Sequence, residues 1–341
     1  MKKRVLSVIL CAVLTMAMMG CSTKTEEPAQ EDAAKEEAAE ESPTDADAES
    51  AKEDGGDKVV IGFAQSRMNH PYRVAAVEEF EAAVEEKGLN WEVVVCDGNN
   101  DATKQTSDVE DLITQGVDLI VMSPITADAL TPVAKTIMDA GISLVLLDRT
   151  INSEDYTTFV GGDNRMIGEI VADAIAADLG EGGGNIVEIQ GTLGASATID
   201  RHEGFVDRIA EKYPNLKVVQ DNTGEYDRAK AMTVMEDFIQ TGVEVDAIYC
   251  HNDAMAMGAM TALQAAGVEG VKIYGADGTV ELMDEIKKET VSGTAFYPTG
   301  STKAVEVIEK ILNGEEVEKK YMVDVPLVTL ENIDEYYDSG I

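Results

Sequence analysis

The chain has 341 residues, and its 65 Asp and Glu against 27 Lys and Arg give a formal net charge of −38. So acidic a protein lacks the positive footprint that binding to nucleic acid or to an anionic membrane surface requires. The four cysteines have no zinc-site spacing. The length is sufficient for two domains.

Residues 1–20 have the pattern of an export signal. Three basic residues at 2–4 precede an apolar stretch that ends at Met19, too short for the roughly 20 residues that span a bilayer. The following Gly20 and Cys21 resemble the bacterial lipoprotein processing box, although the usual Leu three positions before the Cys is Met18 here. The resemblance implies that Cys21 carries the lipid; an ordinary signal peptide with an incidental Cys is the alternative.

Residues 21–57 have a composition that favours disorder. The segment is rich in Glu, Asp, Ala, Pro and Ser, so it cannot bury enough apolar surface to offset the loss of chain entropy. Its like charges repel and extend it. We expect a disordered acidic tether behind the lipidated Cys21; an acidic tail with a partner of its own is the alternative.

The chain from Lys58 to Ile341 alternates short apolar runs with amphipathic stretches. The runs are apolar at successive positions, as expected for strands that helices cover on both faces. Strands that alternate with helices predict a parallel sheet. About ten such units are too many for one small sheet, so we expect an α/β fold with two doubly wound parallel-sheet lobes. The apolar runs lie at 59–63, 93–95, 119–122, 142–147, 158–160, 186–189, 218–219, 247–250 and 271–274.

Polar side chains end these predicted strands. In open parallel sheets, ligands bind outside the carboxyl ends of the strands. Carboxylates, amides and arginine together suit sugar hydroxyls, which both donate and accept hydrogen bonds. The alternative is that Asp and Asn cap the next helix. The strand-end residues are Gln65, Asp97, Ser123, Asp148, Arg149, Gln190, Asn252, Asp253 and Asp277.

The sequence carries no pattern typical of catalysis. No G-x-G-x-x-G opens a helix after the first strand and no Walker phosphate loop is present. The three glycines at 182–184 precede a strand, which indicates a connector. His70, His202 and His251 show no metal-ligand spacing. We therefore expect neither an enzyme nor a cofactor or metal site.

Several segments together resemble the type I periplasmic binding proteins of sugar ABC transporters, in the ribose, galactose and galactofuranose group and closest to the galactofuranose type. The resemblance implies two lobes joined by a three-segment hinge, with crossings near Gly162, Ala295 and Asp324. The first lobe would comprise 58–162 and 296–324, and the second 163–295 and 325–341. The segments that carry the resemblance are 147–149, 162–164, 187–201, 226–228, 251–253 and 276–278.

The resemblance also implies a set of sugar-binding residues. Polar side chains from both lobes would hold the hydroxyls, and tyrosine rings would cover the apolar face of the sugar. The implied residues are Tyr72, Arg73, Asp148, Arg149, Arg201, Tyr226, Asn252 and Asp277, with Asn69, His70 and Phe296 as further candidates.

Structural alternatives exist for several of these residues. Arg201 could pair with Glu203 or Asp207 on its own helix, and Tyr72 could pack under the first helix. His70 could be a solvated loop residue. Asp253 is expected to cap the helix that follows it rather than touch the sugar.

The resemblance implies a substrate-binding lipoprotein of an ABC importer. It would bind a galactofuranose-like, galactose-like or pentose sugar and deliver it to the permease by hinge closure. We expect a monomer that is anchored outside the cytoplasm through Cys21 and binds no nucleic acid. A sensor that presents the ligand to a membrane receptor or kinase is the alternative. A transcription regulator of this fold would carry a basic helix-turn-helix, which is absent from the amino-terminal sequence.

Overall fold

Two six-stranded sheets organise residues 58–341, the part of the chain that the computed structural model describes. The predicted signal segment, the lipidation site Cys21 and the acidic tether lie outside the described residues. Within residues 58–341, no helix is both long enough and apolar enough to cross a membrane.

The described residues form twelve strands and ten α-helices. The strands are β1 (Val59–Gln65), β2 (Trp91–Asp97), β3 (Leu119–Met122), β4 (Ser143–Leu147), β5 (Thr158–Gly162), β6 (Gly184–Gln190), β7 (Leu216–Thr223), β8 (Ala247–Cys250), β9 (Lys272–Asp277), β10 (Gly293–Phe296), β11 (Lys320–Val323) and β12 (Leu327–Val328). The helices are α1 (Pro71–Glu86), α2 (Ala102–Gln115), α3 (Ala127–Asp139), α4 (Asn164–Leu179), α5 (Ser196–Lys212), α6 (Arg228–Gln240), α7 (Asp253–Ala266), α8 (Val280–Lys287), α9 (Ser301–Leu312) and α10 (Ile333–Tyr336).

The strand order confirms the predicted fold class of two α/β lobes. The first sheet has the order β11-β5-β4-β3-β1-β2 and the second β12-β10-β9-β8-β6-β7. Every pairing is parallel except that of β12 with β10. The chain therefore passes between the sheets after β5, after β10 and between β11 and β12.

Phe296 corrects one predicted boundary. It is the last residue of β10 and pairs with Asp277 in the second sheet, and its backbone N–H donates to the carbonyl of Pro326. The second crossing therefore follows Phe296, one residue later than the predicted crossing near Ala295.

Strand β3 explains why the strands are apolar at successive positions. Leu119 and Val121 pack into one buried cluster of the first lobe, whereas Ile120 and Met122 pack into the cluster on the opposite face of the sheet. All four side chains are fully buried. Because helices cover both faces, the strand has no solvent-facing position that would favour a polar residue.

Helices α4 and α5 pack with their backbones in contact. A Cβ added at Gly204 of α5 would overlap the carbonyl oxygen of Arg165, and one at Gly168 of α4 would overlap that of Arg201. Only glycine permits so close an approach. This contact fixes the position of α5, and therefore of Arg201.

Substitution of Gly204 should reveal how tightly this contact is packed. The Gly204→Ala variant forces the two helices apart, so we expect its free energy of unfolding to fall by roughly 1–3 kcal/mol in urea titrations. Gly182→Ala is the matched control, because nothing lies within 4 Å of its Cβ position. Equal stability of the two variants would contradict the packing described here.

Candidate functional site

A cavity lies where the carboxyl ends of the two sheets face each other. It brings together all eight residues of the main predicted set, and His70 as well. Arg67 and Ala197 line it too, although the sequence analysis did not single them out. Of the other candidates, Asn69 is exposed and Phe296 packs against Tyr336, and neither lines the cavity. The lining residues are Arg67, His70, Tyr72, Arg73, Asp148, Arg149, Ala197, Arg201, Tyr226, Asn252 and Asp277.

Three of the lining residues have left-handed backbone conformations. Asp148 follows β4 with φ 67°, Tyr226 precedes α6 with φ 58°, and Asp277 ends β9 with φ 134°. Such values are uncommon for residues other than glycine, and when they occur they cluster at binding sites. The backbone at the ends of β4 and β9 is thus constrained where it presents a carboxyl group.

Asp148 is the centre of a buried charged cluster in the first lobe. Its Oδ2 accepts a hydrogen bond from Arg73 at 2.5 Å, and the second terminal nitrogen of Arg73 donates to Ser123 Oγ at 2.6 Å. Burial alone would raise the pKa of Asp148, but the positive charges of Arg73, Arg149 and Arg201 outweigh it and lower the pKa. Asp148 is therefore an ionised acceptor.

Arg201 is the corresponding cation of the second lobe. Its Nε donates to Asn164 Oδ1 at 2.8 Å, and a terminal nitrogen donates to the carbonyl of His251. The alternative pairing of Arg201 with Glu203 or Asp207 is wrong, because Arg165 pairs with both of these acids. Arg201 is buried and its guanidinium lies 5.3 Å from the centre of the Tyr297 ring.

Asn252 combines a structural role with its position in the cavity. Its Oδ1 accepts the backbone N–H of Met255 at 3.0 Å and caps α7. The prediction that Asp253 would provide this cap is therefore wrong. The Oδ2 of Asp253 instead accepts the N–H groups of Gly278 and Thr279, and thereby holds the loop that follows Asp277.

Asp277 has an unusual environment for a carboxyl group. Its Oδ2 is buried without a hydrogen-bond partner. Burial and the nearby charge of Asp253 raise the pKa of Asp277 well above its usual range, although Arg201 opposes this shift. A neutral carboxyl group at this position can donate a hydrogen bond as well as accept one.

Two tyrosine rings line the cavity, and both also contact protein groups. Tyr72 lies in the first turn of α1 and stacks on Tyr297 with ring centres 5.6 Å apart, so it packs against the protein and lines the cavity at the same time. The hydroxyl of Tyr226 lies 2.9 Å from Thr198 Oγ, and Arg149 lies over its ring at 5.3 Å.

Contacts between the lobes close the cavity at several points. His70 Nε2 of the first lobe lies 2.6 Å from Asn252 Nδ2 of the second, and Arg67 donates to the carbonyl of Glu225 at 2.8 Å. At the rim, the N–H of Ala127 donates to the carbonyl of Gly194 at 3.0 Å. The structure is therefore a closed form of the two-lobe arrangement.

His70 is a buried neutral acceptor in this closed form. Burial and the positive charges of Arg67, Arg73 and Arg149 lower the pKa of His70 to about 3. Its Nε2 then has a lone pair that can accept from Asn252 Nδ2. The alternative of a solvated loop residue is wrong for His70.

The side chains themselves occupy most of the space in the closed cavity. They leave a volume of about 20 Å³, which is enough for roughly one water molecule. A larger ligand must therefore separate the lobes or replace some of these contacts with its own. Within residues 58–341, no group of three or more His, Cys, Asp or Glu side chains could hold a metal ion.

Arg67 is the main cavity residue that sequence reasoning missed. It lies two positions after Gln65, the last residue of β1, so it also lies at the carboxyl edge of the first sheet. The segment 67–73 contains four of the predicted candidates. A test of every polar side chain in that segment would have included Arg67.

Comparisons with known proteins agree with this arrangement. The family model described as a periplasmic binding protein domain matches residues 61–316. The ribose import binding protein of Bacillus subtilis (strain 168) is 35% identical over 271 residues, which cover 79% of this chain and 87% of that protein.

Solved structures give the same result. The crystal structure of a galactofuranose-binding protein has a TM-score of 0.78 and 28% identity, covering 82% of this chain and 98% of that one. The fructose-binding periplasmic domain of a hybrid two-component system has a TM-score of 0.78 and 28% identity, covering 82% and 94%. Matched over most of its length in sequence and in fold, this chain belongs to the periplasmic binding protein family.

Proposed function

We propose that this protein is the substrate-binding lipoprotein of an ABC importer and that it captures a monosaccharide between its lobes. The observation that carries the proposal is the cavity between the two sheets. The first lobe contributes a buried carboxyl group and three buried arginines to it, and the second lobe contributes a buried carboxyl group and one buried arginine. The relatives that bind ribose and galactofuranose support a galactofuranose-like, galactose-like or pentose ligand.

The chemistry of the lining suits a polyol. Each sugar hydroxyl donates one hydrogen bond and accepts others, so it needs an acceptor and a donor nearby. Asp148 supplies an ionised acceptor, the arginines supply donors, and the carboxyl group of Asp277 can supply either. Tyr72 and Tyr226 supply ring surfaces for the C–H groups of a sugar.

Closure is the step that would couple binding to delivery. Asp148 belongs to the first lobe and Asp277 to the second, so a ligand that contacts both, in place of some direct contacts between the lobes, binds a closed arrangement better than an open one. Ligand then shifts the population toward the closed form. A permease that recognises the closed form would receive loaded protein in preference to empty protein.

The amino-terminal segment completes the proposal. We place the lipid on Cys21 and treat the acidic residues that follow as a spacer between the membrane and the lobes. Multiple acyl chains hold a protein durably at a membrane, whereas a single chain does not. The protein would then work as a membrane-anchored monomer outside the cytoplasm.

A sensor is the second candidate function. The fructose-binding domain of a hybrid two-component system shares the fold, so a closed, loaded lobe pair could instead signal to a membrane receptor. Uptake of labelled sugar in a strain that lacks the protein discriminates the two roles. Lost uptake supports import, and unchanged uptake with a lost transcriptional response supports sensing.

The Asp277→Ala variant tests the site without disturbing the fold. Because Asp277 Oδ2 has no partner in the protein, we expect the melting temperature to stay within a few degrees. We expect affinity for the cognate sugar to fall by roughly 10–100-fold, as for the loss of one or two hydrogen bonds. Both the wild type and the variant are refolded to remove carried-over ligand, and isothermal titration calorimetry then measures the affinity of each for the sugar.

The exposed Asp111 on α2 offers a matched control for that variant. Asp111→Ala should leave both affinity and melting temperature unchanged. Undiminished sugar affinity in Asp277→Ala would show that the proposed site is wrong.

His70 should make sugar binding depend on pH. In an open form His70 regains an ordinary pKa near 6.5, whereas closure lowers it to about 3. The contribution of His70 to closure is therefore fully present above pH 6.5, and it decreases as the pH falls below 6.5. At pH 5 the contribution of His70 should weaken binding roughly 30-fold relative to pH 7.5.

The His70→Gln variant isolates this effect. Asp277 works in the opposite direction, because closure raises its pKa and favours proton uptake. The contribution of His70 is therefore the difference between the pH profiles of the wild type and His70→Gln, measured by calorimetry from pH 5 to 7.5. Identical profiles would mean that His70 does not change its protonation on closure.

A further inference from the structure

The cavity contains more positive than negative charge, although the chain as a whole carries −38. Four arginine side chains line it against two carboxyl groups, those of Asp148 and Asp277. The arginine residues are Arg67, Arg73, Arg149 and Arg201, which are 7%, 6%, 3% and 3% exposed. His70 is uncharged, so it neither adds to this excess of positive charge nor offsets it.

Only one of these arginines has a carboxylate at hydrogen-bond distance. Arg73 contacts Asp148 at 2.5 Å, whereas Arg149 Nε lies 3.7 Å from the same carboxylate. The hydrogen bonds of Arg201 go to an amide oxygen and a backbone carbonyl. The hydrogen bond of Arg67 goes to the backbone carbonyl of Glu225.

Arg149 and Arg67 form the least compensated part of the lining. Two backbone carbonyls accept from Arg149 at 3.2 Å, but its Nε is buried without a partner. Burial and repulsion by Arg73 and Arg67 outweigh the nearby Asp148 and lower the pKa of Arg149 to about 10. Arg67 and Arg149 both line the cavity, so both guanidinium groups are available to an anionic group of a ligand.

The other buried carboxylates of residues 58–341, those of Glu188 and Asp253, bond to other groups and do not line the cavity. Asp253 accepts hydrogen bonds from Gly278, Thr279 and Thr294. Glu188 accepts from His202 and His251. Neither acid makes an ion pair with the arginines of the cavity. Glu225 and Asp227 act on Arg67, but their carboxylates accept hydrogen bonds from Lys230, and no further carboxylate lines the cavity.

A buried charge without a counter-ion is unfavourable, and an arginine fork matches a carboxylate in geometry. We propose that the ligand is an acidic sugar, a polyol of monosaccharide size that carries one carboxylate. The carboxylate contacts Arg67 and Arg149, and the hydroxyls contact Asp148, Asp277 and Asn252. This inference rests on the proposed function, because it names the class of sugar that the same site takes.

Paired ligands test the inference on the full-length protein, refolded to remove carried-over ligand. Calorimetry compares sugar acids such as D-galacturonate, D-glucuronate and D-gluconate with their neutral parents and with their uncharged carboxamides. We expect the best acid to bind at least about tenfold tighter than its parent and its amide, as for a charge-assisted hydrogen bond. Raising the salt concentration should change the affinity little, because the pair is buried.

Arg67 variants locate the carboxylate. Arg67→Gln should weaken binding of the acid by about tenfold or more, and binding of the neutral parent by less than threefold. Arg67→Lys keeps the charge and should restore part of the preference for the acid. Arg165→Gln, an arginine on the exposed face of α4 that pairs with surface acids, is the matched control and should change neither affinity.

Each outcome separates the inference from the proposed function. A neutral sugar that binds as tightly as the best acid overturns the inference and leaves the proposed function standing. A sugar phosphate that binds tighter than every carboxylate overturns the choice of a carboxylate. A preference for the acid that survives in Arg67→Gln overturns the placement at Arg67. Binding of no saccharide in either class overturns the proposed function itself.

Discussion

Buried charge between the two sheets is the constraint on which the rest of this structure depends. Asp148 remains ionised in the interior because Arg73, Arg149 and Arg201 surround it. Arg201 belongs to the opposite lobe, so part of the compensation exists only when the lobes meet. The charges of the two lobes thus depend on one another only in the closed form, whereas an open form would return them to water, where they are well solvated and need no partner.

The fold places these charges where they can act. Both sheets direct the carboxyl ends of their strands toward the same cavity. Asp148 directly follows β4 and Asp277 ends β9, and both have left-handed backbones. The close contact of α4 with α5 through two glycines holds Arg201 against Asn164. Local strain, helix packing and buried charge therefore all converge on one site, as expected where binding sets the structural requirements.

Buried parallel strands are apolar at successive positions and end in polar residues at one edge, and this pattern predicted the central strands and four of the eight main cavity residues. The other four, Tyr72, Arg73, Arg201 and Tyr226, were implied only by the family resemblance. The pattern missed β10, β11 and β12, which are two to four residues long and lack the four successive apolar residues of the equally short β3 and β8. The resemblance also placed Phe296 at the site. Strand β10 continues through Phe296, whose ring packs against Tyr336. The local sequence does not contain the tertiary contacts that determine this pairing and packing.

Arg67 and Asp253 are two residues whose roles depend on contacts with other elements, which the local sequence does not show. Asp253 has the residue type and the position of a helix cap, but its carboxylate instead accepts from four donors, which belong to Gly278, Thr279 and Thr294. Arg67 looks like an ordinary loop residue until the second lobe covers it. A sequence pattern predicts the role of a residue when its own helix, strand or loop determines that role. It does not predict the role when a contact with another element determines it.

The central claim is that a ligand bridges the lobes and closes them. Its most direct test is the distance between spin labels on Ala129→Cys and Leu193→Cys, two exposed positions on opposite sides of the rim contact between Ala127 and Gly194, in a Cys96→Ser background. The account predicts a long, broad distance distribution without ligand that becomes short and narrow with saturating ligand. A distribution that the bound ligand leaves unchanged would contradict it.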